Sequence, residues 1–148
     1  MTTTAVNPLT ALIASADEIR SALLNAITNL ELAIEADAAK RRTAKEAKET
    51  YDDAAAEWEA DALLRDRTTV NGDGKATKPT SDVAKAIVAA ELVKARQAGP
   101  LAKPWALMNA AAYDADDARM ALEQAAKRYR AVEAAADLTA AVLKAAVR

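Results

Sequence analysis

The stretch Asn71-Gly-Asp-Gly-Lys-Ala-Thr-Lys-Pro79 decides the fold, because it is the one place where glycine and proline cluster without apolar periodicity. Asn-Gly and Asp-Gly steps adopt positive φ at little cost, so they predict a turn. Asn71, Asp73 and Gly74 also fit the middle of a calcium loop, but the carboxylates that such a loop needs at its ends are missing. We therefore expect a loop at residues 68–80 and no metal.

The chain on both sides of this loop has the composition of helices. Of its 148 residues, 52% are apolar, and 42 are alanine. Alanine has the highest helix propensity, whereas the β-branched and aromatic residues that favour strands are sparse. The sequence predicts an all-α protein forming a single helical domain over residues 1–148.

Start and stop signals divide this domain into three helices. Pro8 suits a first helical turn, Ser81-Asp82 suits an N-cap, Gly99-Pro100 ends a helix, and Pro104 opens the next. We expect helices at about 8–65, 82–97 and 105–147, joined by the loop at 68–80 and a turn at 98–104. Capping-box patterns beginning at Ser15 and Thr28 leave a break in the first helix as an alternative.

The two long helices each carry a seven-residue repeat, which is typical of a coiled coil. The repeats are Leu23, Leu30, Asp37, Ala44, Tyr51, Trp58 in the first helix and Met108, Ala115, Leu122, Tyr129, Ala136, Leu143 in the third. We expect an alanine-rich antiparallel hairpin with the short second helix beside its tryptophan end. An up-down-up bundle is the competing topology.

Bulky residues at both ends of the long helices predict which segments meet. Trp58, Leu63 and Leu64 should meet Trp105, Leu107 and Met108, with both tryptophans in the core. At the other end, Ile27, Leu30 and Ile34 should meet Val132, Leu138 and Val142.

Helix lengths suggest an interaction surface at the N-terminus. At 1.5 Å per residue the first helix would be about 87 Å long and the third about 65 Å, which leaves some fifteen N-terminal residues without an intramolecular partner. These residues contain an apolar stripe that water solvates poorly. We expect another chain to cover this stripe, which comprises Leu9, Leu12, Ile13, Ile19 and Leu23.

The chain has no cysteine and no histidine, which excludes disulfides, thiolate metal sites, cysteine nucleophiles and histidine bases. Glu46-x-x-Glu49 and Asp114-x-x-Asp117 resemble in part the acidic motifs of magnesium-dependent helical hydrolases, but the second Glu-x-x-Asp is absent. Ion-paired surface explains these acids better. We expect no catalytic residue, no cofactor and no small-molecule substrate.

Two basic runs suggest an alternative partner. In the expected hairpin they lie opposite one another and form a basic belt that could contact phosphates. Acidic residues interleave with them, so a solvated charged surface is the ordinary interpretation. The runs comprise Lys40, Arg41, Arg42, Lys45 and Lys48, with Lys127, Arg128 and Arg130.

These patterns lead to one main functional hypothesis. We expect a non-catalytic structural or assembly protein that self-associates or docks onto a larger complex. Its alanine-rich composition, with balanced Asp and Arg, suits a bacteriophage component. The alternative is a small regulator that binds nucleic acid, or a protein handling it, through the basic belt. The net charge of -2 is too balanced to predict a nucleic-acid or membrane partner. The first residues fit neither a signal peptide nor a membrane anchor, so we expect a cytoplasmic or virion-associated protein.

Overall fold

The computed structural model describes the backbone of residues 8–70 and 72–146, and the side chains of residues 10–69 and 72–146. The elements are α1 (Pro8–Leu64), β1 (Thr69–Val70), β2 (Ala76–Thr77), α2 (Ser81–Ala98) and α3 (Ala102–Ala146). The predicted all-α hairpin is confirmed. The helix α1 is continuous, so the alternative of a break near Ser15 or Thr28 is wrong.

The two seven-residue repeats form the seam between the long helices, as predicted. Every residue of the α1 series and of the α3 series is buried or half-buried, while most of their neighbours are exposed. Small residues at many of these positions let the two backbones approach closely. Asp37 is a buried polar member of the seam, at 7% exposure, and polar residues at seam positions favour one register over others.

The expected loop contains a two-stranded antiparallel hairpin that the sequence did not predict. Thr69 pairs with Thr77 and Val70 with Ala76. Gly74 adopts a φ of 76° in the connecting turn, a backbone conformation that glycine reaches without steric cost. Asn71 lies outside the described residues. These strands are only two residues long, so the fold remains helical.

The ends of α2 and the start of α3 differ slightly from the predicted bounds. Thr80 is the N-cap of α2, and its carbonyl accepts a hydrogen bond from the Ala84 amide (2.9 Å). The helix ends before Gly99, whose amide donates to the Ala95 carbonyl (3.1 Å). A Cβ at Gly99 would lie 2.8 Å from the Ala95 Cα, so close approach explains this glycine.

The described chain forms two compact units. Unit 1 comprises the residues up to Lys40 and those from Ala115 onward, and unit 2 comprises Arg41–Asp114. Unit 1 is therefore a pair of helical segments, whereas unit 2 also contains α2 and the β-hairpin. The extent of a single domain over residues 1–148 stays a prediction.

Unit 2 contains a packed core. Tyr51, Ala55, Ala95 and Leu101 are buried together. Half-buried residues from three helices pack around them, namely Ala54, Trp58, Leu92, Trp105 and Met108. The predicted core positions of both tryptophans and the predicted place of the second helix are thus confirmed.

Aromatic side chains and one arginine close this core on one side. The rings of Tyr51 and Trp105 lie 5.2 Å apart between centroids, inclined at 58°. The Arg96 guanidinium carbon lies 4.7 Å from the Trp105 centroid and 5.4 Å from that of Tyr51. Its Nε also donates to the Tyr51 hydroxyl. Arg96 thereby ties α2 to both long helices.

A second arginine joins the end of α1 to α2. Arg67 donates to both carboxylate oxygens of Glu91, at 2.8 and 3.2 Å, and to the Ala62 carbonyl at 2.9 Å. Ala62 is completely buried. The last turn of α1 therefore receives a hydrogen bond that its own helix cannot provide.

In unit 1 the first segment of α1 runs antiparallel to the last segment of α3. Ala16, Ile19 and Leu23 share one cleft with Ala136 and Leu143. The helix α3 therefore reaches the N-terminal part of α1, and the expectation that about fifteen residues lack an intramolecular partner is wrong for this segment.

The extra length of α1 lies instead at its C-terminal end, within unit 2. Trp58 and Asp61 share a cleft with Pro100 and Leu101, in the turn that precedes α3. The predicted meetings of Leu63, Leu64 and Leu107 are wrong, since these side chains are 53%, 85% and 57% exposed. Leu138 was predicted to pack against the α1 residues Ile27, Leu30 and Ile34, and this is also wrong, since its side chain is 67% exposed.

Candidate functional site

Unit 1 has no apolar core among its described residues. Asp37 is their one buried member, and the other seam residues of unit 1 are half-buried. Several large apolar side chains are instead exposed on the outside of the two helices: Ile13, Leu24, Leu32, Ile34, Met120, Leu138 and Val142. Two isolated helices cannot bury both of their apolar surfaces, so this outer surface is the candidate functional site.

The structure divides the predicted N-terminal stripe between the seam and the outer surface. Leu12, Ile19 and Leu23 are half-buried and face the seam side, whereas Ile13 is 52% exposed. The side chain of Leu9 lies outside the described residues. Only Ile13 among the described members is thus presented outward, and the outer surface also includes Leu24, Leu32 and Ile34, which the prediction did not include.

A cleft of about 720 Å³ runs along one side of unit 1. The amide side chains of Asn25, Asn29 and Gln124 line it, together with Arg128 and Val132. The remaining lining residues are alanines, namely Ala22, Ala26, Ala121, Ala125 and Ala131. Short side chains leave both backbones accessible here, and the amides offer hydrogen-bond donors and acceptors. Arg128 is the one ionisable residue among those that line this cleft.

The two predicted basic runs belong to different units, apart from Lys40 at the boundary. Arg128 shares its cleft with Asn25 and Asn29, and Asn29 precedes Arg41 by about three helical turns of α1. The predicted pairing of the two runs used a register that the structure does not have.

Exposed acids and bases form short-range ion pairs. Lys45 pairs with Glu49, Lys48 with Asp52, and Arg119 with Glu123. The hydrogen bond from Lys48 to the Asp52 carboxylate, followed by the charge of that carboxylate, raises the pKa of Lys48. The ordinary interpretation of the acidic motifs as ion-paired surface fits these contacts. Among the described residues no group of acids is arranged to hold a metal ion.

Tyr129, a half-buried seam residue of unit 1, has a raised pKa. Its hydroxyl donates a hydrogen bond to Glu133 (3.0 Å), and this bond raises the pKa of the tyrosine. The negative charge of Glu133 acts in the same direction. Tyr129 therefore remains a neutral hydrogen-bond donor over the physiological pH range.

Sequence reasoning missed the two arginines that organise unit 2. Arg67 and Arg96 lie outside any run of like charge, and neither belongs to a recognisable motif. Their partners Glu91 and Tyr51 are 24 and 45 residues away, so no local spacing indicates these contacts.

Comparison of the chain with known protein families, with curated proteins and with solved structures finds no match. None of the described helices combines the length and the apolar character needed to cross a lipid bilayer.

Proposed function

We propose that this protein is a non-catalytic assembly component that buries the outer surface of unit 1 against helices of another protein chain. One observation carries the proposal: unit 1 has no buried apolar side chain among its described residues, yet it exposes large apolar residues on both helices. Leu24, Leu32 and Leu138 are 59%, 58% and 67% exposed. Covering such side chains with a partner contributes about 1.5–3 kcal/mol for each one fully buried.

The same features fit a structural role better than a catalytic one. The exposed bases Lys45, Lys48 and Arg119 pair with acids on their own helices, and Glu49 of the predicted acidic motif belongs to one of these pairs. The alanine-rich texture and balanced charge also suit a component of a virus particle, and we include a bacteriophage component in the proposal. A cytoplasmic or virion-associated location goes with it.

The alternative partner, nucleic acid, has less support. A continuous basic belt needs both basic runs side by side, whereas Arg128 of the second run lies beside Asn25 and Asn29. Lys45 and Lys48 are also paired with acids.

Hydrogen exchange tests the proposal on the full chain. In the 15.6 kDa monomer, obtained by dilution if necessary, we expect amides of residues 10–40 and 115–146 to exchange about a hundredfold faster than those of the unit 2 core. The reason is that the described residues of unit 1 lack the buried apolar packing that protects helical amides from local unfolding. Equal protection of both units in a verified monomer would show that unit 1 is complete alone and would contradict the proposal.

A further inference from the structure

Charge is distributed unevenly around the α3 segment of unit 1. Nine positions of α3 lie on the side of the 720 Å³ cleft, in alternating steps of four and three residues. They are positions 117, 121, 124, 128, 131, 135, 138, 142 and 145. Of these nine, Asp117 and Arg128 carry charge. The other side of α3 has nine positions in alternating steps of three and four residues, namely 116, 119, 123, 126, 130, 133, 137, 140 and 144. All of them are charged except Ala126 and Ala140.

The α1 segment shows the same bias. Its nine cleft-side positions follow alternating steps of four and three residues and are 11, 15, 18, 22, 25, 29, 32, 36 and 39. Glu18 is the one charged residue among them. Together, the eighteen cleft-side positions of α1 and α3 are called the charge-poor face. It also carries Leu32, Leu138 and Val142, which are 58%, 67% and 44% exposed. In a chain with 28% charged residues, a face with three charges in eighteen positions is suited to burial.

The charge-poor face is large enough for a stable interface. Residues 11–39 of a helix extend for about 43 Å, and two packed helices are about 20 Å wide. Their product is about 860 Å² for each partner. Stable protein interfaces bury about 800 Å² on each side, so this one face suffices.

The chemistry of the face favours a second copy of the same chain as the partner. A two-fold interface brings the same surface from both copies together, so the surface must tolerate itself. Asn25, Asn29 and Gln124 each carry a donor and an acceptor and can therefore pair with their own kind. The few charges have both signs, whereas the other side of α3 would place many ionised groups in a dry interface at a high desolvation cost.

We infer that two copies of this chain associate through the charge-poor face of unit 1, so that their α1 and α3 segments form a four-helix arrangement. This inference rests on the proposed function and specifies its partner. The leucines on the face would be buried between the copies, and the cleft would receive the opposite helices.

Light scattering behind a sizing column tests this inference on the full chain and on two matched variants. Ala131→Lys introduces a charge into the cleft. Ala134→Lys introduces the same charge on the same helix, three residues away and outside the face. Both alanines are exposed, so neither change should alter helicity, which circular dichroism checks. We expect a wild-type dimer of two 15.6 kDa chains.

The expected result is that Ala131→Lys raises the dimer dissociation constant by about a hundredfold or more, while Ala134→Lys leaves it within about threefold. A dimer that resists Ala131→Lys but dissociates with Leu24→Lys would place the interface on the other side and overturn the inference, with the proposed function intact. A monomer at every concentration, or any other stoichiometry, would also overturn it. The hydrogen-exchange result in the monomer then decides separately whether unit 1 still needs a different partner.

Discussion

Arg67 holds Glu91 with both terminal nitrogens of its guanidinium, at 2.8 and 3.2 Å, across 24 residues of chain. Its side chain is 14% exposed, and the same group donates to the Ala62 carbonyl near the end of α1. A planar fork with two parallel bonds is a geometry that lysine cannot reproduce. This contact therefore joins the loop and α2 to the end of α1 in a specific arrangement.

We expect Arg67→Lys to lower the free energy of unfolding by about 1–2 kcal/mol, because the forked contact and the helix-end hydrogen bond cannot both be kept. Urea denaturation followed by tryptophan fluorescence measures the change. Lys45→Ala, which removes an exposed pair with Glu49, is the control and should stay within about 0.5 kcal/mol. Equal effects of the two changes would mean that the Arg67 contact is as weak as an ordinary surface pair.

The turn before α3 gives a second prediction. In Gly99→Ala the new methyl group would lie 2.8 Å from the Ala95 Cα and 3.1 Å from its carbonyl oxygen, both backbone atoms that cannot rotate away. We expect a loss of about 1–3 kcal/mol of stability through overpacking. Thermal unfolding by circular dichroism measures it. Gly72→Ala is the matched control, since nothing lies within 4 Å of a Cβ there; a similar loss in both variants would refute the steric explanation.

Arg96, which lies near two aromatic rings of unit 2, gives a third prediction. Arg96→Met keeps an apolar side chain of similar length but removes the cation near Trp105 and the donor to Tyr51. We expect a loss of about 1–2 kcal/mol and an altered Trp105 emission, measured in a Trp58→Phe background. Arg65→Met, tested with Trp58 intact, is the comparison because the guanidinium carbon of the exposed Arg65 lies 5.8 Å from the centroid of that ring. If Arg65→Met lowers stability as much as Arg96→Met, the half-buried position of Arg96 near two rings adds nothing to its contribution.

The ionisation of Tyr129 gives a fourth prediction. Its pKa in the folded protein lies above the ordinary value because its hydroxyl donates to Glu133. The associated stabilisation is fully present below the unfolded pKa of about 10 and is lost as the pH rises through the folded pKa. An absorbance titration of tyrosinate should show a late transition that Tyr129→Phe removes and Glu133→Ala shifts to lower pH. Glu123→Ala, which removes a partner of Arg119 instead, should leave that transition in place.

The sequence was sufficient to predict the helices and the residues that line the seam, but it left open whether α1 is continuous. Alanine content and a seven-residue repeat determine these properties locally, and each repeat position from Leu23 to Trp58 is indeed turned inward. The register of the hairpin was not predictable in the same way. The middle of both helices is lined by alanine, which packs similarly at neighbouring positions, so matching Trp58 with Trp105 looked as good as matching Tyr51 with Trp105.

The candidate site depended on that register and was therefore predicted less well. Ile19 and Leu23 were assigned to an uncovered end, but they lie beside Ala136 and Leu143. The same shift separated Arg128 from the basic run that begins at Lys40. The general prediction of an apolar surface for another chain stays a prediction, and Leu24, Leu32 and Leu138 are exposed apolar residues that it did not include.

The two long helices also define an order in which their contacts can form. Tyr51 and Trp105 are separated by 54 residues, whereas Ala16 and Leu143 are separated by 127. The entropy of loop closure rises by about 0.6 kcal/mol for each doubling of the loop, and contacts between nearby residues form sooner. Contacts in unit 2 are also stabilised by a buried apolar core, which the described residues of unit 1 lack. The contacts between the two long helices should thus form first near the tryptophans and then successively toward the chain termini.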